Sequence, residues 1–281
     1  MSESNQSYKE LAIPYFKEVF DIIDEVLTAH DIPYYLIGVN AISLELLKKG
    51  TKPARGTKDI DFAIMVSALD EYEEISDSIQ DQGFTKAEAA WRFHHKEFDI
   101  VVDLLPFGEI EESETIGFSD RTTDLHVLGF KEVMDDATEV NIGETKVRIP
   151  PLPGMVILKL VAWSDRPEVR NNDLYDILRV IEHYNDLEYE NNLKYHYDII
   201  EEMEEFDEHR FSSRILGRKV KPYLDKSPVL KQRIESVLEK NTADASTSEI
   251  ARNWAREKGW NLEYCITLLN DFKAGIGDRN S

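Results

Sequence analysis

The apolar run at residues 60–66 carries aspartates at alternate positions, Asp59 just before it and Asp61 within it. That pattern restricts the segment to a strand with one acidic face and one apolar face. Successive side chains of a strand point to opposite sides, so Asp59 and Asp61 face one way while Ile60 and Phe62 face the other, into a core. A second apolar run, residues 98–105, carries Asp103. With the two runs as neighbouring strands, three carboxylates converge on one patch. Acids that close call for cations, and hard oxygen donors without a His or Cys cluster favour Mg²⁺ or Mn²⁺. Two such ions can clamp the attacking and leaving oxygens of an in-line displacement at phosphorus. Asp59, Asp61 and Asp103 are therefore candidate catalytic metal ligands. A lone Asp-x-Asp is more often an ordinary strand start, and the surroundings lift this one above that reading.

Upstream, residues 34–47 read as a short strand, a glycine turn at Gly38 and an amphipathic helix. A helix that opens on a glycine presents free backbone N–H groups and the positive end of its dipole to an anion, which makes Gly38 and Val39 candidate phosphate contacts. Between this helix and the acidic pair lies the stretch 48–58, with five basic residues and no acid in a chain of formal net charge −22. Charge runs are usually solvated faces, but this one opposes the global balance and leads directly into the aspartates. Arg55 is the best candidate for a triphosphate contact, because a planar guanidinium holds phosphate oxygens bidentately. Thr57 is either a second contact or a structural residue bonding backbone at the end of the loop.

Taken together, the Gly38 turn, Arg55-Gly-Thr-Lys-Asp-Ile-Asp-Phe62 and Val102-Asp-Leu-Leu-Pro-Phe-Gly108 resemble the nucleotidyltransferase superfamily. Within it the chain is similar to the AbiEii/AbiGii-type proteins, toxin components of bacterial phage-defence and toxin–antitoxin systems. The similarity continues through residues 150–166 and 172–176, covers roughly 34–180, and has a weaker echo at 213–218. It implies an α/β fold with a nucleotidyltransferase-like mixed sheet and flanking helices, followed by a mostly α-helical C-terminal domain. It also implies Mg²⁺- or Mn²⁺-dependent transfer of a nucleoside monophosphate from an NTP to an acceptor, tRNA in some members, and an antitoxin partner. Lys159 matches the family's lysine motif and would neutralise donor phosphates from an otherwise apolar helix, where the bland reading is a snorkelling side chain. Asp173 and Asp176 share a face of the next helix; the resemblance makes either a base or a partner of Lys159, and capping explains Asp173 nearly as well. One departure stands out. Val39 occupies a position where the family often has glycine or serine. It supports a rival reading, a nucleotide-binding interaction module without turnover. A third reading keeps the enzyme and changes the acceptor to a protein or small-molecule hydroxyl.

Composition sets the remaining bounds. At 281 residues, with 42% apolar and 10% aromatic side chains, the chain is long enough for two globular domains. A pI near 4.7 argues against bulk electrostatic capture of nucleic acid, leaving RNA contacts to the basic segments 48–58 and 209–221. The acidic run 201–208 reads as a solvated helix face, or less readily as a surface for a basic partner. A single cysteine, Cys265, a polar start without an apolar leader, and no run of about 18 apolar residues point to a cytoplasmic protein free of membrane spans. Pro150, Pro151 and Pro153 mark a boundary between domains 1–150 and 151–281. Before it, the pattern predicts a helix over 8–30, a helix over 69–80, a hairpin pairing 91–95 with 98–105, and another pairing 138–141 with 146–149. In that first hairpin the adjacent His94 and His95 point to opposite faces and make a poor metal pair. After the boundary it predicts helices over 154–163, 172–184, 193–206, 211–224, 228–239, 246–257 and 261–272.

Overall fold

The computed structural model describes residues 8–53, 57–110, 115–118 and 125–278. They divide into two compact units between Pro151 and Leu152. In the first unit the chain runs α1 (Phe16–Ala29), β1 (Tyr34–Ile37), α2 (Gly38–Leu47), β2 (Asp59–Val66), α3 (Leu69–Asp81), β3 (Phe84–Lys86), β4 (Arg92–His95) and β5 (Ile100–Gly108). It continues through β6 (Thr115–Ile116), β7 (Leu125–His126), α4 (Phe130–Met134), β8 (Thr138–Ile142) and β9 (Thr145–Ile149). Seven strands form a mixed sheet in the order β3-β4-β5-β2-β1-β9-β8, and β6 pairs with β7 apart from it.

The apolar face of β2 organises the core. Ile60, Phe62 and Ile64 are fully buried, as are Phe20, Ile23 and Leu27 of α1, and the Phe20 and Phe62 rings lie 5.9 Å apart. β2 runs antiparallel to β1 and parallel to β5. A parallel pair needs a crossover, here α3 followed by β3 and β4. The crossover is pinned by Tyr72 of α3, a fully buried ring whose hydroxyl donates to the Ala90 carbonyl at 3.1 Å.

The second unit is helical: α5 (Leu152–Asp165), α6 (Asn171–Leu187), α7 (Tyr189–Glu201), α8 (Glu208–Lys226), α9 (Pro228–Thr242), α10 (Glu249–Lys258) and α11 (Leu262–Gly277). Asp207, Ser227, Ser248 and Asn261 each accept a backbone N–H at the start of α8, α9, α10 and α11, satisfying donors that helix formation leaves unpaired. Trp254 of α10 is buried and donates its indole N–H to the Leu174 carbonyl at 2.9 Å. α8 and α11 approach each other closely. A Cβ on Gly217 would lie 2.1 Å from the Phe272 carbonyl oxygen, and one on Gly275 would lie 2.1 Å from that of Arg214. The two glycines let the backbones touch, so Gly217 in the echo segment 213–218 is a packing residue.

The expected mixed sheet and the helical second part both form, and several boundaries move for identifiable reasons. The helix expected over 8–30 begins only at Phe16, because Pro14 cannot sit inside it and Tyr15 has φ 58°. α5 begins at Leu152, since Pro153 falls in the first turn, where its missing N–H costs nothing. The helix expected over 193–206 instead spans Tyr189–Glu201 and is kinked at His196. Glu201, Glu202, Glu204 and Glu205 would crowd the negative end of a longer helix. The acidic run 201–208 is accordingly no continuous helix face. It covers the end of α7, a connection, and the cap of α8.

Replacing Gly217 with valine forces α8 and α11 apart. We expect a loss of about 3 kcal/mol in denaturant unfolding, against little change for Gly277→Ala, where a Cβ meets nothing within 4 Å.

Candidate functional site

Strand register gathers the acids. In the parallel pair of β2 and β5, Asp61 lies beside Asp103 and Asp59 beside Val101. In the antiparallel pair of β4 and β5, Arg92 lies opposite Asp103 and His94 opposite Val101. Neighbours in register share a face, so Arg92, Asp103, Asp61 and Asp59 all stand on one side of the sheet. The other edge of this row is the end of β1, where Ile37 is registered with Asp61 and α2 begins at Gly38. The carboxylates thus lie between a guanidinium and the N-terminus of a helix, both electropositive.

Arg92 was not legible as a site residue. Its Nε donates to Asp103 Oδ1 and its Nη2 to Oδ2, each at 2.7 Å, and Nη2 also stands 3.6 Å from Asp59 Oδ2. The hydrogen bond to Asp103 raises the arginine's pKa beyond its already high ordinary value despite partial burial. The cation that converging acids require is therefore, at Asp103, a side chain of the protein itself. Among the described residues no group of three or more His, Cys, Asp or Glu side chains is gathered closely enough to hold a metal ion. The donor chemistry still suits Mg²⁺ or Mn²⁺, because Asp59 and Asp61 offer hard oxygens on one face. Each Asp103 oxygen also keeps a second lone pair beyond the one that Arg92 uses.

Gly38 is required twice over. Its φ is +69°, and a Cβ there would lie 2.1 Å from Asp61 Oδ2. The first turn of α2 is therefore pressed against the Asp61 carboxylate. Asn40, buried in that turn, donates from Nδ2 to the Asp59 carbonyl at 2.9 Å and fastens the helix start to the strand that carries both acids. No sequence signal marked Asn40 beyond its place two residues after the turn glycine. The N-cap, Ile37, lends α2 no side-chain hydrogen bond. Val39 is buried, which turns its side chain towards the protein. Thr57 accepts the Asp59 N–H on its hydroxyl at 3.2 Å, the structural one of its two expected roles. Arg55 lies outside the described residues.

In the second unit, Lys159 of α5 meets two acids of α6. Its Nζ is 2.7 Å from Asp173 Oδ1 and 2.7 Å from Asp176 Oδ2. All three side chains are nearly buried, at 14%, 9% and 6% exposure. Burial alone lowers an amine's pKa, but the charges of Asp176 and Asp173 outweigh it and hold Lys159 above its ordinary value. Lys159 is a charged lysine shared by two carboxylates, and Asp173 and Asp176 are its partners. Arg170 adds a looser contact to Asp173 at 3.4 Å.

The arginines of the basic segment 209–221 are paired with acids of the same unit. Arg210 pairs with Asp271, and Arg214 and Arg218 both pair with Asp278. Arg218 also grips Asp198, and Lys221 donates to the Asp278 carbonyl at 2.7 Å. His95 is buried and stacked on Phe98 with centroids 4.3 Å apart, whereas His94 is paired with Asp99 at 3.4 Å. The two histidines diverge as strand geometry requires.

Residues 45–260 match the family model described as "Nucleotidyl transferase AbiEii toxin, Type IV TA system". The chain belongs to the AbiEii family. No curated protein matches it. Among solved structures, the solution structure of the antibiotic-resistance factor ANT(2'')-Ia aligns at 15% identity and TM-score 0.38, covering 66% of this chain and 95% of that one. The crystal structure of ANT(2'')-Ia with adenylyl-2''-tobramycin aligns at 15% identity and TM-score 0.37, covering 54% and 79%. An antigenic nucleotidyltransferase-like protein from Paracoccidioides brasiliensis aligns at 13% identity and TM-score 0.38, covering 79% and 94%. No helix of the described residues is long and apolar enough to cross a membrane.

Two substitutions separate the roles of these residues. Gly38→Ala must relieve its overlap with Asp61 and adopt a left-handed backbone, a penalty of at least about 1–2 kcal/mol, read as a lower unfolding midpoint. Lys159→Met leaves two buried acids facing each other, and we expect a loss of about 3–5 kcal/mol by the same measurement.

Proposed function

We propose that this AbiEii-family protein transfers a nucleoside monophosphate from an NTP to a hydroxyl of tRNA, as the cytoplasmic toxin of a toxin–antitoxin or phage-defence pair. The observation that carries the reading is the row on the sheet face, with Asp59, Asp61 and Asp103 on neighbouring strands against the N-terminus of α2. Triphosphate oxygens would be received by the backbone N–H groups at Gly38 and Val39, with Arg55 as their cationic contact. Asp59, Asp61 and Asp103 would hold Mg²⁺ or Mn²⁺, which when bound neutralises phosphate charge and acidifies the attacking hydroxyl. Asp103, held in plane by Arg92, would serve the acceptor hydroxyl. Asp176 keeps the Lys159 amine charged and in place. The acceptor oxygen bonds to the α-phosphorus as the bond to pyrophosphate breaks. Positioning and electrostatics do the catalytic work, with no covalent intermediate on the protein. Val39 is compatible with this reading because the contacts assigned to it are backbone ones.

The experiment is incubation with each α-labelled NTP, Mg²⁺ or Mn²⁺, and total tRNA. Label should move to tRNA with one NTP preferred, and Asp61→Asn should lower the rate by on the order of 10²–10³ without changing the fold. Full activity in Asp61→Asn would refute the assignment. NTP binding without label transfer to RNA would redirect the search to protein or small-molecule hydroxyls, and no NTP binding would leave the interaction-module reading.

A further inference from the structure

Arg92 and Asp103 are opposite one another in an antiparallel strand pair, so their contact is imposed by backbone register rather than by two flexible side chains meeting on a surface. The fork is closed on both sides at 2.7 Å, and the Asp103 side chain is only 12% exposed while that of Arg92 is 42% exposed. The same Nη2 reaches across β5 to Asp59 of β2 at 3.6 Å. One guanidinium therefore touches two of the three carboxylates assigned to the metal. Without it, a nearly buried carboxylate would be left unpaired beside two others, an arrangement that is strongly unfavourable. With it, part of the negative charge that would attract a divalent ion is already cancelled, and affinity for such ions follows the net charge of their ligands.

We propose that Arg92 is the resident counter-ion and positioning residue of the acidic face, fixing the plane of the Asp103 carboxylate and setting how tightly the face binds a divalent cation. The inference rests on the functional reading above and adds a residue to it. Its consequence is a deliberately moderate affinity. The face is stable when empty, and a metal ion arriving with a triphosphate, which brings its own negative charge, is favoured over a metal ion alone. Arg92 fits this role better than a lysine, since only a planar fork can hold both Asp103 oxygens and still reach Asp59.

The test is titration of the full-length protein with Mn²⁺ alone, following free Mn²⁺ by electron paramagnetic resonance. Arg92→Gln removes the charge, and Mn²⁺ should bind about tenfold more tightly. Its metal-free unfolding midpoint should fall, and saturating Mn²⁺ should raise that midpoint by more than in the wild type. Arg92→Lys keeps a charge but not the fork, so its Mn²⁺ affinity should stay within about twofold of wild type. Native-like Arg92→Gln with unchanged or weaker Mn²⁺ binding overturns the proposal while leaving the metal site standing. If Arg92→Gln does not fold, Arg92→Lys decides, and a tightening of about tenfold in a protein that keeps the charge is contradictory. Failure of the wild type and both variants to bind Mn²⁺ at millimolar concentration overturns this inference and the metal assignment together.

Discussion

The parallel pairing of β2 with β5 is the constraint on which the first unit depends. β2 must bury Ile60, Phe62 and Ile64 on one face, and a one-residue slip would exchange that face for the acidic one. The register is therefore held by the core, and the core decides that Asp61 stands beside Asp103. The hairpin from β4 into β5 then decides that Arg92 stands opposite Asp103, and the antiparallel pairing of β1 with β2 decides that α2 begins against Asp61. Four separate stretches of sequence reach one patch because an apolar strand has only one way to sit.

Charge is managed by the same economy of placement in both units. The chain carries a formal net charge of −22, yet the buried acids Asp103, Asp173 and Asp176 and the nearly buried Asp278 each meet a basic side chain. Arg92 serves Asp103, Lys159 serves Asp173 and Asp176, and Arg214 and Arg218 serve Asp278. Pairing offsets the desolvation cost that a buried carboxylate left alone would bear in full. The difference between the clusters lies in what surrounds them. The Lys159 cluster is nearly closed to solvent. The acidic face is open, with the Asp59 side chain 44% exposed, and it abuts a helix N-terminus.

Much of this was legible in the sequence, because the relevant signals were periodic or sterically forced. Alternation placed Asp59 and Asp61 on one face. The glycine turn marked the start of α2, and consecutive prolines marked the change from sheet to helix. What escaped was pairing at a distance. Arg92 looked like an ordinary strand residue until the register was known, although counting back across the hairpin from Asp103 would have reached it. The pairings of Arg210, Arg214 and Arg218 were silent because their partners, Asp198, Asp271 and Asp278, lie on α7, on α11 and at its end. Asn40 was silent for the same reason, since its acceptor is a backbone carbonyl on a neighbouring strand. Short pieces such as α4 and β3 are too brief to show a period.

The claim at the centre of this account is that the acidic face and the start of α2 form one nucleotide-binding site. A crystal structure with Mn²⁺ and a non-hydrolysable NTP tests it most directly, because manganese is located by its anomalous scattering independently of the protein phases. Anomalous density should lie against Asp59 and Asp61, with triphosphate oxygens at the backbone of Gly38 and Val39. Manganese and nucleotide bound elsewhere, with Asp59 and Asp61 facing only water, would contradict it.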